Sequence, residues 1–546
     1  MMRSYRASRF PVEPLVGLLM AILAGCVLVT TWDVETKYKM AMVAAIGGFA
    51  GLAIFPERRV ACVMLWVLIH PLSVEKIFFV HAAEGPQFSD PTIVLNISDA
   101  PLVLLALFLV AESLSANRSA FRWSRITAIL LALLLWSAVS FAIHATYLGD
   151  GFTTSAPLEL LQQIRLLIFA LLVQSAIRSR GDVILVLATV GVAVLMQTAI
   201  VGLSYSTGRL FNYAETTSAA DASNTTLQGF DTSGGGEMLR ATGTVGQVNE
   251  QAIFHVVMTL PLIAFFAARN GVVRWLSVAV VAGSVLALVL TFSRGAWLAF
   301  PIGAGGCLIV ALRQQMIGRT AILAGAILST GAAVALGFLA EPIYQRVAYG
   351  DNGATAARVR LLDLASDLAE AFPLIGVGPG EFDEAALKLY PPGFAENQWV
   401  EPGQKLISTT IGRVDYSEFR LGNQFPYRRP LPVHNRYMLT LSELGLPGLA
   451  IWLWLYVEFI RLAWRCSKLP DRVLSLLGIA GLGVTFAELV YMMVEHFSDI
   501  KPLEFVLFVP VLMFAALSSQ AASVDRHRGQ RSVLPTPDPD YEPIKP

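Results

Sequence analysis

The chain has 546 residues, 55% of them hydrophobic and 15% charged, with a mean hydropathy of +0.60 and 40 basic residues balancing 40 acidic ones. A soluble domain carries about 25% charged residues, so this composition excludes disorder, a global basic field for nucleic acid and a conventional soluble enzyme. The apolar residues fall in blocks of roughly 20, the length at which a helix crosses the hydrocarbon of a bilayer.

Taken in chain order, the blocks predict spans near 14–31, 38–55, 59–75, 98–115, 125–146, 158–177, 182–203, 251–268, 273–291, 294–312, 319–340, 443–463, 472–495 and 502–520. The expected class is an all-α polytopic membrane protein of about fourteen helices, or about twelve to fourteen, because His70 and Pro71 interrupt the third block and Pro101 opens the fourth. With the N-terminus inside, every short inner loop is basic: Arg3, Arg6 and Arg9; Arg58 and Arg59; Arg118, Arg122 and Arg125; Arg178 and Arg180; Arg269 and Arg274; Arg313 and Arg319; Arg461, Arg465, Lys468 and Arg472; and Arg526, Arg528 and Arg531. The outer connections read TWDVETK, HATYLGDG and EHFSDIK. Since cytoplasmic loops carry the basic excess, both termini are expected in the cytoplasm. The first block has no small-residue cleavage site before Trp32 and reads as a retained span rather than a signal peptide. Cys26, Cys62, Cys307 and Cys466 have no paired spacing, so neither a disulfide framework nor a zinc site is implied.

The expected organisation is a bundle over 1–340 with a flexible outer loop at 204–250, an extracytoplasmic subdomain over 341–433, C-terminal spans over 434–520 and a disordered, Pro-rich cytoplasmic tail over 521–546. The Gly, Ser and Thr of the first loop suggest a cover, and a loop as long as the second is usually functional or disordered. Within the second, ATAARVRLLDLASDLAEAF sets Leu361, Leu362, Leu364 and Leu368 against charged positions, predicting an amphipathic helix lying on the membrane surface. The Gly/Pro turns of PLIGVGPGEF follow it.

Ionisable groups at the edge of a span or within one are functional candidates, because hydrocarbon tolerates them only at a cost. Arg294, in TFSRGAW at the outer end of a span, stands on the side that should be poor in basic residues, between Ser293 and Gly295, which let a ligand approach. A snorkelling side chain is the bland alternative; an anion site is the better reading. Arg165, in LELLQQIRLLIFA, lies about two turns into its span, so it needs either a carboxylate partner or a ligand anion. Arg240 ends the flexible cover, and Arg358 and Arg360 stand on the loop helix. His434 opens HNRYMLTLSELGLPG, where an outer loop re-enters the membrane, at a level where a water-soluble acceptor can meet a lipid-borne donor. A neutral imidazole there can accept a hydroxyl proton at physiological pH, and Glu443, farther along the same helix, could orient a neighbour. His70, His81, His144, His255, His496 and His527 read as structural. The chain has no GxxxxGK[ST], no GxGxxG after a strand, and no HExxH or acidic cluster, so no nucleotide, metal or other cofactor is implied.

RATGTVGQVNEQA (240–252), TFSRGAW (291–297), RVRLLDLASDLAEAFPLIGVGPGEF (358–382) and HNRYMLTLSELGLPG (434–448) together resemble the O-antigen ligase and O-antigen polymerase superfamily of bacterial membrane glycosyltransferases. The last fits the pattern His-Asn, nine residues, Gly-x-x-Gly, ending at Gly445 and Gly448. The resemblance implies a glycan donor on undecaprenyl diphosphate, and an acceptor hydroxyl on another glycan or on lipid A core, in the bacterial inner membrane with the site facing the periplasm. By position, Arg294 and Arg358 would hold the donor diphosphate and His434 would be the base, with Asn435 beside it; whether Arg358 or Arg360 faces the site stays open. Two guanidiniums aimed at the leaving diphosphate stabilise the charge it gains, and their planar forks match phosphate oxygens bidentately. Attack from the opposite face predicts inversion.

The segment 383–433 is longer than in the ligases, which leaves ligase or polymerase of O-antigen or exopolysaccharide open, along with sugar identity and oligomeric state. A transporter or flippase of lipid-linked sugars is the reading from another class, but transporters usually show two related halves and midplane charges, and no internal repeat stands out here.

Overall fold

A computed structural model describes residues 57–72, 75–79, 93–117, 119–147, 155–209, 229–231, 237–267, 271–315, 340–348, 354–382, 385, 433–495 and 500–532. Thirteen helices follow one another among these residues: α1 (Arg58–Ile69), α2 (Asp99–Ala116), α3 (Arg125–Tyr147), α4 (Ser155–Ala176), α5 (Arg180–Thr207), α6 (Val248–Ala267), α7 (Val272–Leu290), α8 (Arg294–Arg313), α9 (Ala340–Ala348), α10 (Ala354–Ala371), α11 (Arg436–Cys466), α12 (Arg472–Tyr491) and α13 (Ile500–Ser532). Two small antiparallel pairs add to the helices, β1 (Glu75–Phe79) with β2 (Ile93–Asn96) and β3 (Gly229–Asp231) with β4 (Glu237–Leu239).

Nine of these helices are long and apolar enough to cross a membrane. Predicted spans 14–31, 38–55 and, except for its last residue, 319–340 lie outside the described residues. The other predicted spans each meet a helix; 251–268 corresponds to the shorter apolar α6, and 59–75 to α1, which has only 12 residues and ends in the single turn His70–Leu72. Among the described residues the bundle is sorted by burial. In α12 and α13, 83% of the most apolar window is buried, against 22% in α2 and α8, so the C-terminal helices form the centre and α2 and α8 face outward with apolar surface suited to lipid.

Helix starts are set by local chemistry. Ser179 and Asp182 form a reciprocal capping box on α5, and Asp471 caps α12 through the amides of Val473 and Leu474. Arg180 donates to the same Asp471 carboxylate at 2.5 Å, while Arg178 and Arg59 both reach Glu112 near the end of α2. One end of the bundle is therefore rich in arginine.

Two expectations change. The loop at 204–250 does not stay flexible to its end: residues 241–246 are buried. Thr244 donates to the Pro71 carbonyl at 2.7 Å, Gln197 on α5 joins both, and the Ala241 amide donates to the Leu290 carbonyl at 3.0 Å. The tail expected to be disordered from 521 begins as helix, because α13 continues to Ser532.

Candidate active site

Gly445 breaks α11. It takes φ +67°, ψ −174° inside what otherwise reads as one helix, a conformation that only glycine adopts without strain. The chain thus enters through a short first half, 436–444, and turns at the glycine into the long span. The break is filled by the Gly/Pro turn that follows α10. Val377 N donates to Ser442 O at 2.8 Å, Gly378 N to Glu443 O at 2.9 Å, and Leu446 N to Pro373 O at 2.8 Å. Gly376, at φ +66°, lies so close to the Glu443 carbonyl that a Cβ would come within 2.2 Å of it. From the other side α3 holds the turn: Ser140 Oγ donates to Ile375 O at 2.7 Å, His144 Nε2 pairs with Gly376 O, and Trp136 Nε1 donates to Leu444 O at 2.8 Å. These bonds fix the helix carrying Arg358 against the helix that His434 opens.

His434 precedes the first turn of α11. Asn435 caps that helix, its Oδ1 accepting from the Met438 amide at 3.0 Å and its Nδ2 donating to Met493 O at 3.1 Å. The second contact and the bond from Arg436 N to Met492 O at 2.9 Å bring the end of α12 alongside. Glu495, just beyond α12, meets His434: Nδ1 to Oε1 is 2.8 Å, with 23% of the histidine and 10% of the glutamate side chain exposed. The other carboxylate oxygen accepts from Asn249 Nδ2 at 2.6 Å. Asn249 Oδ1 in turn accepts from Arg240 Nη2 and from Ser293 Oγ, both at 3.1 Å, and the Tyr491 hydroxyl donates to the Asn249 carbonyl at 2.9 Å.

Three guanidiniums gather here. Arg294 and Arg358 repel Arg240 electrostatically, while Glu495 attracts it. Burial pushes the Arg240 guanidinium down to about 10, the other two arginines push the same way, and it stays charged at neutral pH. Arg294 is the first residue of α8 and adds its charge to the positive end of the helix dipole. Ser293, at the N-cap, makes no side-chain cap bond to its own helix and turns to Asn249 instead. The corner before it is tight: Phe292 is fully buried at φ +51°. Carbonyls at this corner accept Arg240 Nε (Thr291 O, 3.0 Å) and Arg346 Nε from α9 (Phe292 O, 3.2 Å). The surroundings favour a multiply charged anion next to an imidazole whose Nδ1 is turned to a carboxylate.

Residues 278–453 match the family model described as O-antigen ligase. Over this stretch, about a third of its length, the chain is similar to the O-antigen ligase family. No curated protein matches it. The O-antigen ligase match covers Arg294, Arg358, Gly376, His434 and Gly445, whereas Arg240, Asn249 and Glu495 lie outside it. Together with the nine apolar helices it supports a likeness to membrane enzymes of the O-antigen ligase/polymerase type.

Of the residues singled out in the sequence, the fold gathers Arg240, Arg294, Arg358 and His434. The Arg360 side chain lies outside the described residues. Both ends of the Asn435 amide are engaged with backbone, which makes it a cap more than a ligand contact. Glu443 lies behind the site, lining a small cavity inside the bend of α11 with Glu159, Gln163, Arg436, Thr440 and Trp452. Arg165 has carboxylate partners, Glu504 at 3.0 Å and Asp99 at 3.0 Å, in a group that also holds His70, 3.0 Å from Glu504. Sequence reading missed Asn249, Glu495 and Arg346. The first lies inside a quoted motif and the second in EHFSDIK, read only as an outer loop.

Proposed function

We propose that the protein is an inner-membrane glycosyltransferase that moves a glycan from an undecaprenyl diphosphate carrier to a sugar hydroxyl at the periplasmic face, as a ligase or polymerase of surface polysaccharide. The observation that carries this reading is the placement of the His434–Glu495 pair beside Arg240, Arg294 and Arg358 at one end of an apolar helix bundle. The arginine-rich end with Arg59, Arg178 and Arg180 is the opposite one, which supports a periplasmic site under the positive-inside rule.

In this reading Glu495 accepts a hydrogen bond from Nδ1–H of His434, which keeps the proton on Nδ1 and leaves Nε2 as the basic nitrogen. Nε2 takes the acceptor's hydroxyl proton as its oxygen attacks the anomeric carbon. The bond from that carbon to the diphosphate oxygen breaks, and its electron pair goes to the diphosphate, whose charge the three guanidiniums meet. The new bond forms on the face opposite the leaving group, so the anomeric centre inverts. The sugar–diphosphate bond that breaks already supplies the driving force.

The test is transfer by purified protein supplied with a lipid diphosphate-linked glycan and an acceptor glycan. His434→Ala and Arg294→Ala are expected to lower the rate by about 10²-fold or more. Wild-type product from both variants would sink the reading. In cells lacking the protein, accumulation of a long carrier-linked chain marks a ligase and of a single repeat unit a polymerase.

A further inference from the structure

Arg240, Asn249, Glu495 and His434 form one hydrogen-bonded chain: 3.1 Å from Arg240 Nη2 to Asn249 Oδ1, 2.6 Å from Asn249 Nδ2 to Glu495 Oε2, and 2.8 Å from His434 Nδ1 to Glu495 Oε1. The direction of the amide is fixed by its partners. Oδ1 meets two donors, the guanidinium and the Ser293 hydroxyl, so a flipped amide would set N–H against N–H there and oxygen against carboxylate on the other side. Its main chain is anchored as well, through the bond from Tyr491. A neutral side chain that accepts at one end and donates at the other can join a guanidinium to a carboxylate across this gap. An aspartate would set like charges 2.6 Å apart.

We propose, resting on the glycosyltransferase reading, that Asn249 is a positioning residue that links the diphosphate-binding Arg240 to the Glu495 carboxylate that orients His434. Engagement of the donor by Arg240 and alignment of the base then depend on one another. Among the described residues, Arg294, Arg358 and Tyr491 also act electrostatically on Arg240, and the link runs through none of them.

The decisive experiment exchanges the polarity of the link. Asn249→Asp places a carboxylate against Glu495, and Glu495→Gln sets an amide against the Asn249 amide; each is expected to lower kcat by about 10²-fold. In the double variant N249D/E495Q the new carboxylate accepts from Arg240, Ser293 and the Gln amide, while the Gln carbonyl accepts from His434 Nδ1. It is expected to regain about tenfold over the better single variant. Asn249→Ala is expected to raise KM for the lipid donor about tenfold and to move the acid limb of the pH–rate profile upward, since Glu495, losing a donor, holds the imidazolium more strongly. A double variant no better than either single one overturns the proposal, as does an alanine variant with wild-type donor KM and acid limb. If the alanine variant does not fold, the near-isosteric exchange decides. An active His434→Ala variant sinks the glycosyltransferase reading; an inactive one beside wild-type behaviour at position 249 sinks this proposal alone.

Discussion

Gly445 faces the main chain of Leu374 so closely that a Cβ on it would lie 2.4 Å from the Leu374 carbonyl oxygen. Gly445→Ala therefore meets both the cost of a backbone conformation that is essentially glycine-only, about 1–3 kcal/mol, and a collision with backbone that no rotamer relieves. The expected result is a lower unfolding temperature in detergent and loss of transfer even in the folded fraction. Gly271→Ala is the matched control, with the same φ of +67° and open space around its Cα; it is expected to show the conformational penalty alone, with transfer intact. Equal behaviour of the two variants would show that the crossing at Gly445 tolerates a side chain.

The base pair predicts a pH profile. A protonated imidazole cannot accept a hydroxyl proton, so kcat/KM should fall about tenfold per pH unit on the acid side. In Glu495→Ala the imidazole loses the group that orients its Nδ1, and kcat at the optimum is expected to drop by about 10²-fold. An unchanged kcat would show that the 2.8 Å contact has no part in transfer.

Arg346 holds the Phe292 carbonyl from α9, at a corner where the backbone is left-handed and Arg294 follows two residues on. Arg346→Ala is expected to loosen that corner and lower kcat/KM about tenfold while the protein stays folded. Transfer kinetics at matched protein levels check this, and wild-type kinetics would count against it.

Arg165 makes a different prediction. Glu504 is fully buried, and Arg165 shares the pocket with Asp99 as well. Arg165→Met leaves the buried Glu504 and the half-buried Asp99 without their guanidinium, expected to destabilise by roughly 3 kcal/mol. Arg165→Met with Glu504→Gln is expected to recover much of that loss, together with transfer. Stable double-variant protein with no activity would instead make Arg165 a substrate ligand.

The sequence exposes most of the spans because hydrocarbon length is written directly in apolar runs. It also offers His434, Arg294 and Arg358 as candidates, through the place of Arg294 at the outer end of a span and the family resemblance that carries all three. Other features depend on contacts that no local pattern carries. Glu495 looks like any acid in an outer connection until α12 delivers it to a histidine far away in sequence. Asn249 has the composition of a helix start. The apolar period of α11 runs straight through Gly445, so the break is invisible without the turn that fills it. The partner of Arg165 could not be named because Glu504 sits near the start of a span read only for its hydrophobicity.

The crossing of the turn after α10 with the break in α11 is made by main chain: three backbone hydrogen bonds between 373–378 and 442–446, seated on two glycines. A joint of this kind does not depend on which side chains flank it. Side chains along the crossing can vary while the main-chain bonds keep the helix of Arg358 and the helix that His434 opens in the same register.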